Sequence, residues 1–98
     1  MKSTPQEILS SLHCLKEEVK KQYPVRKIGV FGSVARDEQI DESDIDLLVE
    51  FSKPVGFVMF MRLEHFLSEW LGRPVDLVTT NSLKPVIRQD VFAEVIYV

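Results

Sequence analysis

With 98 residues, 45% of them hydrophobic and 28% charged, the chain has the balance of a soluble globular protein and room for one core but not two. The expectation is one domain that folds alone, in place of a disordered tail. The net charge of −3 is uneven: seven of the 15 acids (Asp37, Glu38, Asp41, Glu42, Asp44, Asp46 and Glu50) form one block with no base among them. Such a block repels nucleic-acid phosphate unless a cation intervenes, which argues against direct DNA binding and for a metal site.

The opening MKSTPQEI lacks a signal-peptide pattern, and no stretch nears the roughly 20 apolar residues of a membrane span. One cysteine, Cys14, leaves no internal disulfide and no cysteine metal cluster. The expectation is a cytoplasmic protein without membrane association, folded as one domain over residues 1–98.

Along the chain, Thr4-Pro5-Gln6-Glu7 reads as a helix start, with threonine as N-cap, proline at the first helical position and glutamate completing a capping box. Ile8, Leu12, Leu15 and Val19 recur at helical spacing and mark the inward face, and Tyr23-Pro24 ends the helix. Val25–Phe31 is a strand stopping at Gly32. Ser33 to about Glu38 suits a short helix, followed by a polar loop to Ser43. Asp44–Phe51 is a second strand with Ile45, Leu47, Val49 and Phe51 on one side and Asp44, Asp46, Leu48 and Glu50 on the other.

Phe57–Leu71 is an apolar helix stopped by Gly72, in which Met59, Phe60, Met61 and Trp70 are expected in the core or against a partner. Pro74–Thr79 is a third strand. Asn81 or Ser82 is placed as the cap of a last helix over Leu83–Glu94, and Val95–Val98 as a short edge strand. The whole predicts an α+β fold: a small mixed sheet with helices packed on it.

The chemistry lies in the acidic strand. Residues two apart on a strand share a face, so Asp44 and Asp46 stand side by side. Two carboxylates about 5 Å apart repel by about 3 kcal/mol at an effective dielectric near 20, a repulsion that a divalent cation removes. Asp76 is the other acid inside an apolar strand and reaches the same patch if the two strands are neighbours. Carboxylates without nearby cysteine or histidine suit a hard ion such as Mg²⁺, which takes the rest of its shell from water and substrate phosphates.

Gly32-Ser33, between a strand and a helix start, offers a close backbone approach, amides and a hydroxyl to such phosphates. Taken singly, each feature has a plainer reading: a solvated strand face for Asp44 and Asp46, an exposed strand residue for Asp76, a turn and helix cap for Gly32-Ser33. Arg36 is open between a phosphate contact and a surface ion pair. The combination points to phosphate chemistry. His65, on the apolar helix, reads as packed or half-exposed, and His13 and Cys14 carry no assigned chemistry.

The order G-S-x-A-R, then S-D-I-D-L-L-V, then Val75-Asp76-Leu77-Val78, over residues 28 to 79, resembles the minimal nucleotidyltransferases of the DNA polymerase β-like superfamily. Leu83-Lys84-Pro85 and the closing Glu94-Val95-Ile96-Tyr97 are similar to that family's tails, and Asp37 departs from it where many relatives have glycine. The resemblance implies the polymerase β-like fold, with Asp44, Asp46 and Asp76 holding two Mg²⁺ ions and Asp76 nearest the attacking group. Gly32 and Ser33 would hold the nucleotide phosphates, Arg36 would neutralise their charge, and Ser43 would cap the entry of the acidic strand.

The implied function is transfer of AMP from ATP to a partner protein, a HEPN-type toxin, which makes this chain the antitoxin. The rival readings are an antitoxin acting by contact alone, and nucleotidyl transfer to RNA or a small molecule. Homo- and hetero-oligomers both stay open.

Overall fold

The computed structural model describes residues 5–32, 35 and 44–98. Helix α1, Pro5–Gln22, is followed by strands β1, Val25–Phe31, and β2, Ile45–Phe51. Helix α2, Phe57–Leu71, strand β3, Val75–Thr79, a single 3₁₀ turn over Thr80–Ser82, helix α3, Pro85–Glu94, and strand β4, Ile96–Tyr97, complete the chain.

The four strands form one sheet in the order β3-β2-β1-β4. β1 is antiparallel to both of its neighbours, while β2 and β3 are parallel. The mixed sheet with packed helices expected from the pattern is what forms. Parallel β2 and β3 need a crossover, and α2 supplies it.

Strand alternation decides which side of the sheet does what. Ile45, Leu47 and Val49 of β2, with Val75 and Leu77 of β3 and Ile28 and Val30 of β1, pack into a buried cluster with Ile8, Leu12, Leu15 and Val19 of α1 and Leu63 and Leu67 of α2. Both long helices therefore cover one side of the sheet, and the spacing read from α1 identifies its buried stripe residue for residue. The other side has a smaller cluster, Leu48 with Leu83 and Val91, supported by Phe31, Val78 and Val95. That side carries α3 and, by alternation, the acids of β2 and β3.

The free edge of β3 is closed by side chains of α2. The Val75 amide donates to Ser68 Oγ at 3.2 Å and the Leu77 amide to Glu64 Oε2 at 3.2 Å. An edge strand with unpaired amides is a liability, and a serine and a glutamate four residues apart on α2 blunt it on either side of Asp76.

The starts of the last helix and of β2 are corrected, and the edge strand expected over Val95–Val98 is confined to Ile96–Tyr97. The last helix begins at Pro85, with Lys84 as its N-cap, instead of at Leu83. The residue before a proline is disfavoured in the helical region, so Thr80–Ser82 forms its own 3₁₀ turn, with Thr79 Oγ1 accepting from the Ser82 amide at 3.2 Å. β2 begins at Ile45, which leaves Asp44 as the residue leading into it.

In α2, only Leu63 and Leu67 are buried, whereas Met59, Met61 and Trp70 are exposed, Trp70 by 62%. One helix face can meet the sheet, and Leu63 and Leu67 sit on it. Phe57, Val58 and Met61 lie outside that face. Apart from residue 35, the short helix and loop expected between Ser33 and Ser43 lie outside the described residues, as does the Thr4 cap. No described helix is long and apolar enough to cross a membrane.

Candidate active site

Asp46 is the second residue of β2 and Asp76 the second of β3. Parallel pairing sets them as direct Cα partners, between Ile45↔Val75 and Leu47↔Leu77. Since Ile45, Leu47, Val75 and Leu77 all enter the helix-covered core, Asp46 and Asp76 both project from the opposite side, one strand spacing of about 4.8 Å apart. Asp46 is half-buried and Asp76 exposed. Asp44 leads into β2 on the same alternation and is exposed.

The third wall is the end of β1. Phe31 is the Cα partner of Asp46, and Gly32, the next residue, is buried with φ +72°. A Cβ built on Gly32 would run into Asp46 Oδ2. Glycine is therefore required twice here, by a left-handed backbone and by a carboxylate that fills the side-chain space.

The Gly32 amide donates to Glu94 Oε1 at 2.9 Å. Glu94, the last residue of α3, was not among the candidate site residues. Its place beside Gly32 follows from the β1–β4 register, which composition and spacing do not disclose. Because this amide is held by Glu94, phosphate binding at the turn would rest on the missing side chain of Gly32 and on the residues after it. Ser33, Arg36 and Ser43, the other candidates for nucleotide binding, lie outside the described residues.

The donor set fits a hard dication, being made of carboxylate oxygens. Among the described residues no three His, Cys, Asp or Glu side chains close into a ready-made metal group. An ion at Asp46 and Asp76 would take much of its shell from water and substrate oxygens, as Mg²⁺ does.

A separate cleft lies toward the far end of β2, lined by Lys27, Glu50, Arg88 and Tyr97 among others. There Lys27 Nζ stands 5.3 Å from the centre of the Tyr97 ring. Burial, and secondarily the charge of Glu50, raise the Tyr97 phenol above its ordinary value of 10.0. It stands apart from the aspartate pair, since Glu50 lies four residues along β2 from Asp46.

Residues 12–98 match the family described as Nucleotidyltransferase domain. The chain belongs to this nucleotidyltransferase family. Over 95 residues it is 44% identical to protein adenylyltransferase MntA of Thermococcus cleftensis, with 97% of this chain and 96% of that protein covered. Its fold is similar to a solved structure described as a minimal nucleotidyltransferase, with a TM-score of 0.83, 31% identity, and 96% and 95% of the two chains covered.

A further similar chain, with a TM-score of 0.70 and 22% identity, comes from the structure of a tri-AMPylated HEPN toxin of Shewanella oneidensis in complex with MNT antitoxin. The match covers 92% of this chain and 70% of that one, and at that identity it speaks to the fold alone. The nucleotidyltransferase is thus a member of the minimal group that its glycine-serine and acidic-strand motifs resemble, and it is an enzyme of that class.

Proposed function

We propose that residues 1–98 work as one cytoplasmic nucleotidyltransferase domain that moves AMP from ATP to a HEPN-type partner protein and so acts as its antitoxin. The observation that carries this reading is the register of Asp46 with Asp76, on the side of the sheet that the long helices leave free, beside a glycine whose side-chain space a carboxylate fills. The name of the Thermococcus relative, a protein adenylyltransferase, supports adenylyl as the transferred group.

In this reading Asp44, Asp46 and Asp76 would hold Mg²⁺, two ions in all, which when bound would supply charge neutralisation on the phosphates and the leaving pyrophosphate. The protein's own part is positional. The turn at Gly32 and Ser33 brings the triphosphate close to backbone, with Arg36 offsetting its charge and Ser43 capping the entry to β2. Asp76, exposed at the mouth of the site, takes the proton from an acceptor hydroxyl. The hydroxyl oxygen then bonds to the α-phosphorus, the bond from that phosphorus to the bridging oxygen breaks, and pyrophosphate leaves.

The test is intact-mass spectrometry of a purified HEPN-type toxin after incubation with this chain, ATP and Mg²⁺. A mass increase of one or more AMP groups with the native chain, and none with Asp46→Asn, is the expected result. No adduct, together with full neutralisation of the partner by Asp46→Asn, would replace transfer by contact inhibition. A label from ATP appearing on RNA alone would replace the acceptor.

A further inference from the structure

The β1–β4 pairing places one carboxylate against the turn that enters the site. Gly29↔Tyr97 and Val30↔Ile96 are Cα partners, and the Val98 amide donates to the Ile28 carbonyl at 3.0 Å. All three contacts obey one antiparallel register. Carried two residues further, that register sets Glu94 opposite Gly32, where its carboxylate accepts the Gly32 amide at 2.9 Å.

Glu94 is held there from both sides. Behind it, α3 is anchored by the buried Val91 against Leu48, two residues along β2 from Asp46. After it, Val95 donates its amide to the Val91 carbonyl at 2.9 Å and the chain enters β4. Gly32 is in turn held on its other side by the Asp46 carboxylate, which fills its side-chain space.

We propose that Glu94 is a positioning residue for the nucleotide-binding turn. By taking the amide of Gly32 it ties the end of β1 to the end of α3 and holds Gly32 in its left-handed conformation against Asp46, at the border of the aspartate pair. It touches no reacting atom. Hydrogen bonds to charged acceptors are the strong ones, and this one joins two elements 62 residues apart in sequence. The inference rests on the nucleotidyltransferase reading for its consequence, but the contact itself can be tested without it.

Two variants and two readouts decide the matter. Glu94→Gln keeps an oxygen that can accept the Gly32 amide, whereas Glu94→Ala does not. In hydrogen exchange followed by NMR, the Gly32 amide is expected to be protected in the native chain and in Glu94→Gln, and to lose protection in Glu94→Ala while the Leu48 amide is unchanged.

In calorimetric titration with ATP and Mg²⁺, Glu94→Ala is expected to weaken binding about tenfold and Glu94→Gln to recover most of that loss. Unchanged Gly32 exchange in Glu94→Ala would overturn the contact. Native-like ATP affinity in Glu94→Ala, or a Gln variant no better than Ala, would overturn the positioning role. Absence of ATP binding by the native chain would count against the nucleotide reading, and the exchange measurement would then decide the contact alone.

Discussion

Asp46 and Asp76 are Cα partners across the parallel pair β2–β3 and project from the same side of the sheet. Neither strand could shift by one residue without turning its aspartate into the core, because side-chain period on a strand is two. The apolar residues that alternate with them, Ile45, Leu47, Val75 and Leu77, are buried and so lock the carboxylates outward. Core packing thus positions the candidate site.

Replacement of either carboxylate is expected to separate function from stability. Asp46→Asn and Asp76→Asn should each lower nucleotidyl transfer at least about a hundredfold while the denaturation midpoint stays the same or rises, since a mutual repulsion is removed. A pair of thermal melts with a single-turnover transfer assay checks both halves.

Gly32→Ala should lose both stability and activity. A left-handed backbone costs a non-glycine residue about 1–2 kcal/mol, and the added methyl would also meet the Asp46 carboxylate. Urea unfolding should show a lower midpoint with an unchanged slope, and nucleotide binding should fall with it.

The clamp on the edge of β3 makes a different prediction. Ser68→Ala removes the acceptor of the Val75 amide and should cost about 1 kcal/mol, a drop in Tm of about 4–8 °C for a domain of this size. Ser68→Thr, which restores a hydroxyl, should recover part of it.

Much of this is legible in the sequence itself. The 3.6-residue recurrence in α1 named its buried face, and the alternation in β2 named which side bears acid, because in both elements one face meets a core and the other does not. What failed to show were relationships set by tertiary register. Glu94 comes to Gly32 only through β4, an element of two residues whose pairing no local pattern specifies. Ser68 and Glu64 serve the edge of β3, a role that depends on how α2 lies against the sheet and that no local pattern marks. Met59, Met61 and Trp70 are exposed where the core alternative places them inside, because large apolar residues lie on more than one face of α2 and composition alone does not reveal which stripe meets the sheet.

Alkaline titration offers a local probe of the far end of the sheet. Tyr97 has its phenol raised above 10.0 by burial and by Glu50, so the folded state favours the neutral form. Its contribution to stability is present in full below pH 10.0 and is lost as pH rises through the higher folded-state value. Tyr97→Phe should therefore flatten the fall of stability above that pH, and difference absorbance between the native chain and the variant should place the phenol's ionisation above its ordinary value.

The most direct test of the central claim maps where a divalent cation binds together with a nucleotide. Mn²⁺ added in small amounts to the isotopically labelled chain, with a non-hydrolysable ATP analogue present, should first broaden the amide resonances of Asp46, Asp76 and Gly32 and leave those around Glu50 and Tyr97 sharp. Broadening centred on Glu50 and Tyr97, or undiminished broadening at the pair in an Asp46→Asn, Asp76→Asn double variant, would contradict it.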